Sequence, residues 1–185
     1  MTLDELLDNQ RGVLSSRQAL AHVSKGQLQR LTPPGGRWQR PLPLVVVTHN
    51  GPLTAEQQRW AAVLYAGPRA ALSHHTSATL DGLQRYADEL VHVTVPHSSS
   101  AQSQSFVRVH RARCAPDECD DVHPLHQPPR MRLPRALVEM ARAARSLDDA
   151  RGPLAAAVQQ GLVRVADLRD LLCRVGPMPR EASLL

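Results

Sequence analysis

The chain has 185 residues, 42% of them apolar, with only one Phe, two Tyr and two Trp; that suffices for one domain or two small ones around a Leu, Val and Ala core that favours helices. No apolar run approaches the roughly 18 residues of a membrane span, no cationic-then-apolar leader opens the chain, and Cys114, Cys119 and Cys173 make no disulfide framework, so a cytoplasmic protein with reduced thiols and no membrane partner is expected. The formal net charge is +5, and Lys25 is the only lysine among 22 basic residues, a bias toward the planar donor fork of arginine that suits phosphates and guanine edges.

In chain order, Thr2 or Asp4 starts a first helix with Leu3, Leu6 and Leu7 on one face, ending near Gly12. Ser15 or Ser16 caps a second short helix through Ala19 and Leu20. Ser24 caps a third, in which Leu28 and Leu31 turn inward while Lys25, Gln27 and Arg30 turn outward. Pro33, Pro34, Gly35 and Gly36 end it. Residues 9–40 carry six basic side chains and no acidic one. Helices so closely spaced predict a helix-turn-helix whose third helix enters the major groove of double-stranded DNA. Residues 44–48 then predict an edge strand of a wing, between Pro43 and Asn50-Gly51. The DNA-binding candidates are Ser24, Lys25, Gln27, Arg30, Arg37 and Arg40. Ser24 sits at a helix N-terminus that suits a phosphate, Gln27 suits adenine, Arg30 suits guanine or phosphate, and Arg37 and Arg40 suit flanking phosphates. Trp38 is assigned to structural support of the wing. The competing reading of the same residues is a solvated basic face on a small helical domain.

Gly51-Pro52 marks the expected end of this first domain, residues 1–50. Thr54 with Gln57 forms a capping box that opens a helix over 55–66. Ser73 caps another, running to about Leu83. Val91, Val93 and Val95 alternate with His92 and Thr94, and residues 106–110 repeat the pattern, so the two runs predict neighbouring strands joined by a Ser/Gln loop. Residues 111–132 are turn-rich and expected to be exposed, and they hold Asp117, Glu118, Asp120 and Asp121. Helices are predicted over 133–145, 148–160 and 165–175. The expected fold class is α+β: an N-terminal winged helix-turn-helix, then a small mixed α/β domain over 53–175 with a helical C-terminal part, then a flexible tail over 176–185.

Signals of catalysis are missing. No nucleophile elbow, phosphate-binding glycine loop or dinucleotide fingerprint occurs, and the acids are too scattered for the carboxylate cluster of a Mg²⁺ nuclease. Cys114, Cys119, His123 and His126 have a C-x4-C-x3-H-x2-H spacing that is compressed for zinc and interleaved with carboxylates; an exposed acidic loop is the better reading. His74-His75 are adjacent, so on a helix they point apart and read as helix-face polarity. The sequence therefore predicts no enzyme, no metal and no cofactor.

The segments Gly51-Pro52-Leu53-Thr54, Trp60-Ala-Ala-Val-Leu-Tyr65-Ala-Gly-Pro68, Ala71-Leu-Ser-His-His75 and Val91-His-Val-Thr-Val-Pro96, with Gly161-Leu162-Val163 and Ala166-Asp167-Leu168, resemble AbiEi-type antitoxins of type IV toxin–antitoxin systems and related actinobacterial winged-helix regulators. The resemblance covers most of residues 3–175. It implies an N-terminal winged helix that binds operator DNA and a second α+β domain that acts against a nucleotidyltransferase-like toxin. Longer relatives continue into a restriction-endonuclease-like domain, and the expectation is that this chain lacks it. Where such relatives show a Gly-Val-Tyr-like strand, this chain has Pro41-Leu-Pro-Leu-Val-Val-Val47, which predicts a shortened or distorted wing. The expectation is a sequence-specific transcriptional regulator, autoregulating as an antitoxin, with a homodimer as one option for its assembly. Its alternative is an interaction module that binds a partner or toxin with little DNA contact.

Overall fold

Thr2 with Glu5, Ser15 with Gln18, Ser24 with Gln27 and Thr54 with Gln57 each close a capping box in the computed structural model, which describes residues 2–112 and 121–175. In each box the hydroxyl accepts from the backbone N–H three residues on, and the Glu or Gln side-chain oxygen accepts from the cap's own N–H, which satisfies donors a helix start would otherwise leave open. These boxes begin α1 (Leu3–Asn9), α2 (Ser16–Leu20), α3 (Lys25–Leu31) and α4 (Ala55–Ala66).

Between and after the first helices run β1 (Val13–Ser15), β2 (Gln39–Leu42) and β3 (Val45–Val47), an antiparallel sheet in the order β1-β3-β2. The strand expected at the edge is thus the central one. Val45, Val46 and Val47 are all fully buried, as a continuous apolar run covered on both faces requires. The edges are β1 and β2, and β2 carries Pro41 and a register irregularity between Gln39 and Leu42; an edge strand tolerates proline because one row of its N–H groups has no ladder partner. Pro43 and Leu44 make the turn between β2 and β3. The proline-rich segment therefore still forms a hairpin, a short one.

The two faces of this sheet lead to different cores. Val46 and Leu14 pack with Leu6, Ala19 and Leu28 beneath the first helices, with Trp38 at the margin. Val13, Leu42, Val45 and Val47 face the other way and share a core with Trp60, Ala61, Ala62 and Val63 of α4. That core continues into a second sheet, so apolar packing crosses Gly51-Pro52.

The second sheet comprises β4 (Ala71–Leu72), β5 (Val91–Pro96) and β6 (Val107–Ala112), with α5 (His74–Leu80) between β4 and β5. β4 is antiparallel to β5, and β5 is parallel to β6 with Val91 opposite Val107 and Thr94 opposite His110. Alternation sends Val91, Val93, Val95, Val107 and Val109 into the core shared with α4. Residues 129–131 extend this sheet beside β4: Leu72 N–H donates to the Pro129 carbonyl at 2.8 Å, and Met131 N–H donates to the Leu72 carbonyl at 2.9 Å. The segment expected to be exposed is thus partly interior. Met131 and Asp121 are buried, and Asp121 pairs with Arg135 at 2.9 Å. The other acids of that stretch, with Cys114 and Cys119, lie outside the described residues.

Helices α6 (Leu133–Ala143), α7 (Leu147–Gln159) and α8 (Val165–Val175) close the fold around a further core of Leu137, Leu154, Leu168, Leu171 and Leu172, joined by Ala78 and Leu83. The tail expected over 176–185 also lies outside the described residues. The chain is a mixed α+β fold, with helix and strand segments first and a helical cluster last. No described helix is long and apolar enough to cross a membrane.

Candidate functional site

Ser73 leads from β4 into α5 in an extended conformation, and its hydroxyl does not cap the helix. Its backbone N–H donates to the His92 carbonyl at 3.0 Å, while His92 N–H donates to the Thr76 hydroxyl at 2.9 Å. The start of α5 is thereby fastened to β5 at His92. His74 follows with φ +48°, a left-handed conformation that costs a side-chain-bearing residue energy. It turns the imidazole away from the path a regular first helical turn would give it. His92 and His110 project from β5 and β6 on the face opposite the valines, because strand residues two apart share a face.

The result is a cluster of three imidazoles, His74, His92 and His110, in which one ring nitrogen from each lies within 4.8 Å of the others. His74 stacks on His110 with ring centroids 3.6 Å apart and planes 17° apart. His92 Nδ1 lies 3.0 Å from His110 Nε2, and His92 Nε2 lies 2.9 Å from the Asp88 carboxylate. His74 Nδ1 lies 2.9 Å from the Ser73 hydroxyl. His75 borders the group, its ring edge-on to His92 at 5.2 Å, and its Nδ1–H donates to the Tyr86 carbonyl at 3.0 Å.

The electrostatics keep these rings neutral. Burial, then the neighbouring imidazoles and Arg135, hold His74 well below the usual histidine range. Burial, then His92 and Arg108, push His110 down to about 4. Burial also lowers His92, although its bond to Asp88 opposes the shift. A neutral imidazole keeps one bare lone pair, the form that binds a metal or accepts a proton. Arg135 adds less positive field than its charge suggests, since Asp121 at 2.9 Å and Glu139 at 2.6 Å both pair with it.

This geometry corrects the expectation that the chain is no enzyme. His74 is only 3% exposed, so it is no polar spot on a helix face, and its partner is not the adjacent His75. It meets histidines from two strands in an arrangement compatible with metal coordination and the catalysis such a centre supports. The exclusion of an enzyme does not stand. The signal is present in the alternation at β5 and β6, which puts His92 and His110 on one face; what the sequence lacks is the parallel register and the fold-back of α5.

The residues singled out for DNA contact lie apart from the cluster. Ser24, Lys25, Gln27, Arg30, Arg37 and Arg40 are exposed, and Trp38 is part-buried against the apolar cluster under the first helices. Ser24 and Gln27 are committed to each other: Gln27 N–H donates to Ser24 Oγ at 3.2 Å, and Gln27 Oε1 accepts from Ser24 N–H at 2.9 Å. Arg40 reaches back across the fold, donating to the Thr32 hydroxyl at 3.1 Å. Among the described residues Lys25, Arg30, Arg37 and Arg40 make no ion pair, in contrast to Arg11, which meets Glu56 at 3.1 Å. Of the residues in the zinc-like spacing, His123 and His126 do come together, with ring centroids 3.8 Å apart, while both cysteines fall outside the described residues. No protein-family model matches this chain, and no curated protein matches it in sequence.

Proposed function

We propose that the protein is a sequence-specific DNA-binding regulator that contacts double-stranded DNA through a winged helix built from residues 2–47. The observation that carries this reading is the element order α1, β1, α2, α3, β2, β3 with β3 central in an antiparallel sheet. In that arrangement α2 and α3 form the helix-turn-helix, α3 is the recognition helix, and the β2–β3 hairpin is the wing. The charge pattern agrees with it, because every acid among the first 50 residues falls at or before Asp8. Lys25, Arg30 and Arg37 are then available to phosphates or base edges rather than held by carboxylates. Gln27 contributes through its amide NH₂ alone, since its carbonyl oxygen serves the cap.

Fluorescence anisotropy with duplexes from upstream of the coding sequence tests this reading. Wild-type binding weakens as salt rises, because phosphate contacts release counterions. The triple variant Lys25→Ala/Arg30→Ala/Arg37→Ala binds more weakly, and its log–log salt slope is flatter by about one unit for each phosphate it no longer neutralises. Unchanged affinity and slope in a folded triple variant would remove α3 and the segment before the wing from the interface.

A further inference from the structure

We propose that His74, His92 and His110 form an open three-histidine site for a divalent transition ion, with Zn²⁺ as the occupant. The inference is independent of DNA binding and rests on the cluster itself.

The ligand chemistry is consistent residue by residue. His92 donates its Nε2–H to Asp88 at 2.9 Å, which leaves Nδ1 bare and turned toward His110 Nε2 at 3.0 Å. A carboxylate behind a histidine is the usual device that fixes a metal-binding tautomer and strengthens the donor. His74 engages Ser73 through Nδ1, which leaves Nε2 for an ion. Two imidazole nitrogens on one tetrahedral zinc lie about 3.3 Å apart, from bond lengths of about 2.0–2.1 Å. One pair stands 3.0 Å apart and no two of the three donor atoms are more than 4.8 Å apart, so binding requires the rings, including the stacked His74 and His110, to turn toward a common point.

A second observation points to a missing ligand. Thr94 shares the face of β5 with His92, stands opposite His110 in the parallel register, and is 2% exposed. Its hydroxyl has no hydrogen-bond partner among the described residues. A buried hydroxyl without a partner is costly, and a water on an ion held by the three histidines would supply one. Three protein ligands with a fourth position for water is the pattern of catalytic rather than structural zinc. A cavity of about 150 Å³ lies on the His75 and Asp88 side of the cluster, walled by those residues and Thr76 but not by the three histidines themselves. Besides the Asp88 carboxylate, the charged neighbours are the cations Arg108, which is exposed on β6, and Arg135, which Asp121 and Glu139 neutralise. All-nitrogen donors suit zinc, copper and nickel over magnesium or calcium.

The test starts from the full chain stripped with a chelator. Calorimetric titration with Zn²⁺ gives one site, the thermal midpoint rises with added Zn²⁺, and X-ray absorption of the zinc-loaded protein shows three imidazole donors. Asp88→Asn weakens binding about 10–100-fold, and His92→Gln/His110→Gln abolishes it. His123→Gln/His126→Gln, which alters the other close pair, leaves it unchanged. Failure of the wild-type chain to bind Zn²⁺ saturably overturns the proposal. So does loss of binding in the His123/His126 variant, or an absorption spectrum with fewer than three imidazoles. The spectrum is read on wild-type protein, so the outcome does not depend on whether the cluster variants fold.

Discussion

Between Thr2 and Val47 the helices begin at residues that fix them locally, whereas between Ser73 and His110 the cluster exists only where three separate segments meet. In the first region a hydroxyl and a Glu or Gln three residues on decide where α1, α2 and α3 start. In the second, Ser73 has no capping bond and its hydroxyl faces His74 instead. His74 is then set by bonds from α5 to β5, and His92 and His110 by a parallel register. Local codes make elements reliably. A site assembled across elements requires the whole fold, and the interior around it holds charges and imidazoles that must be matched to one another.

The largest expected effect breaks that matching. Asp121→Ala leaves Arg135, a residue only 7% exposed, with one carboxylate fewer, and removal of one partner from a buried pair costs about 3–5 kcal/mol. Urea unfolding measures it. A cost below about 1 kcal/mol, the range of exposed pairs, would mean that the central region tolerates loss of its long-range ion pair as easily as a surface would.

The second prediction concerns pH and metal-free protein. His74, His92 and His110 all have folded-state values below the ordinary histidine value of 6.5, His110 at about 4. The unfolded chain therefore binds more protons than the folded one between those limits, and stability rises with pH there. The contribution is fully present above about 6.5 and is lost as pH falls toward 4. Denaturation midpoints measured across that window should fall on acidification, and His110→Gln should flatten the slope. An equal slope in a folded variant would show that His110 is not among the groups responsible.

The contrast also explains what is legible in the sequence. The candidate helix caps, the Thr54–Gln57 pair, the proline and glycine stop after α3, the helix over 55–66 and the alternating strands are nearest-neighbour signals, and the structure has elements at those places. The Glu5, Gln18 and Gln27 halves of the other boxes appear only in the structure. The valine run reads correctly as a strand but not as a central one, because its burial on both faces depends on α4 and on the helices beneath Val46. Asp121 reads as part of a solvated acidic loop because its partner Arg135 is on a later helix. The histidine cluster stays hidden for the same reason: neither the left-handed turn at His74 nor the parallel pairing of β5 and β6 is encoded in the spacing of the histidines.

A third and smaller effect tests the local side. Ser24→Ala removes the cap of α3 and should cost about 1 kcal/mol, within the usual range for such a cap. Ser73→Ala offers the opposite control. With no cap bond to lose, it should leave α5 helical and alter only the environment of His74, seen as a shift of its imidazole resonances. If Ser73→Ala instead frays α5, the two serines act alike and the distinction between local and assembled starts collapses.

The smallest effect has the opposite sign. Leu44 holds φ +60° in the two-residue turn between β2 and β3 and is 73% exposed. Proline followed by a left-handed residue is the pattern of a type II turn, whose second central position favours glycine. A left-handed L-residue costs roughly 1–2 kcal/mol, and glycine's greater freedom in the unfolded chain returns roughly 0.5–1 kcal/mol of that. Leu44→Gly should therefore stabilise the protein by roughly 0.5–1 kcal/mol, read as a higher thermal midpoint. A lower midpoint would mean that the leucine side chain holds the hairpin by contacts stronger than its exposure suggests. The β2–β3 hairpin would then depend on assembly, as the histidine cluster does, and not on local turn chemistry alone.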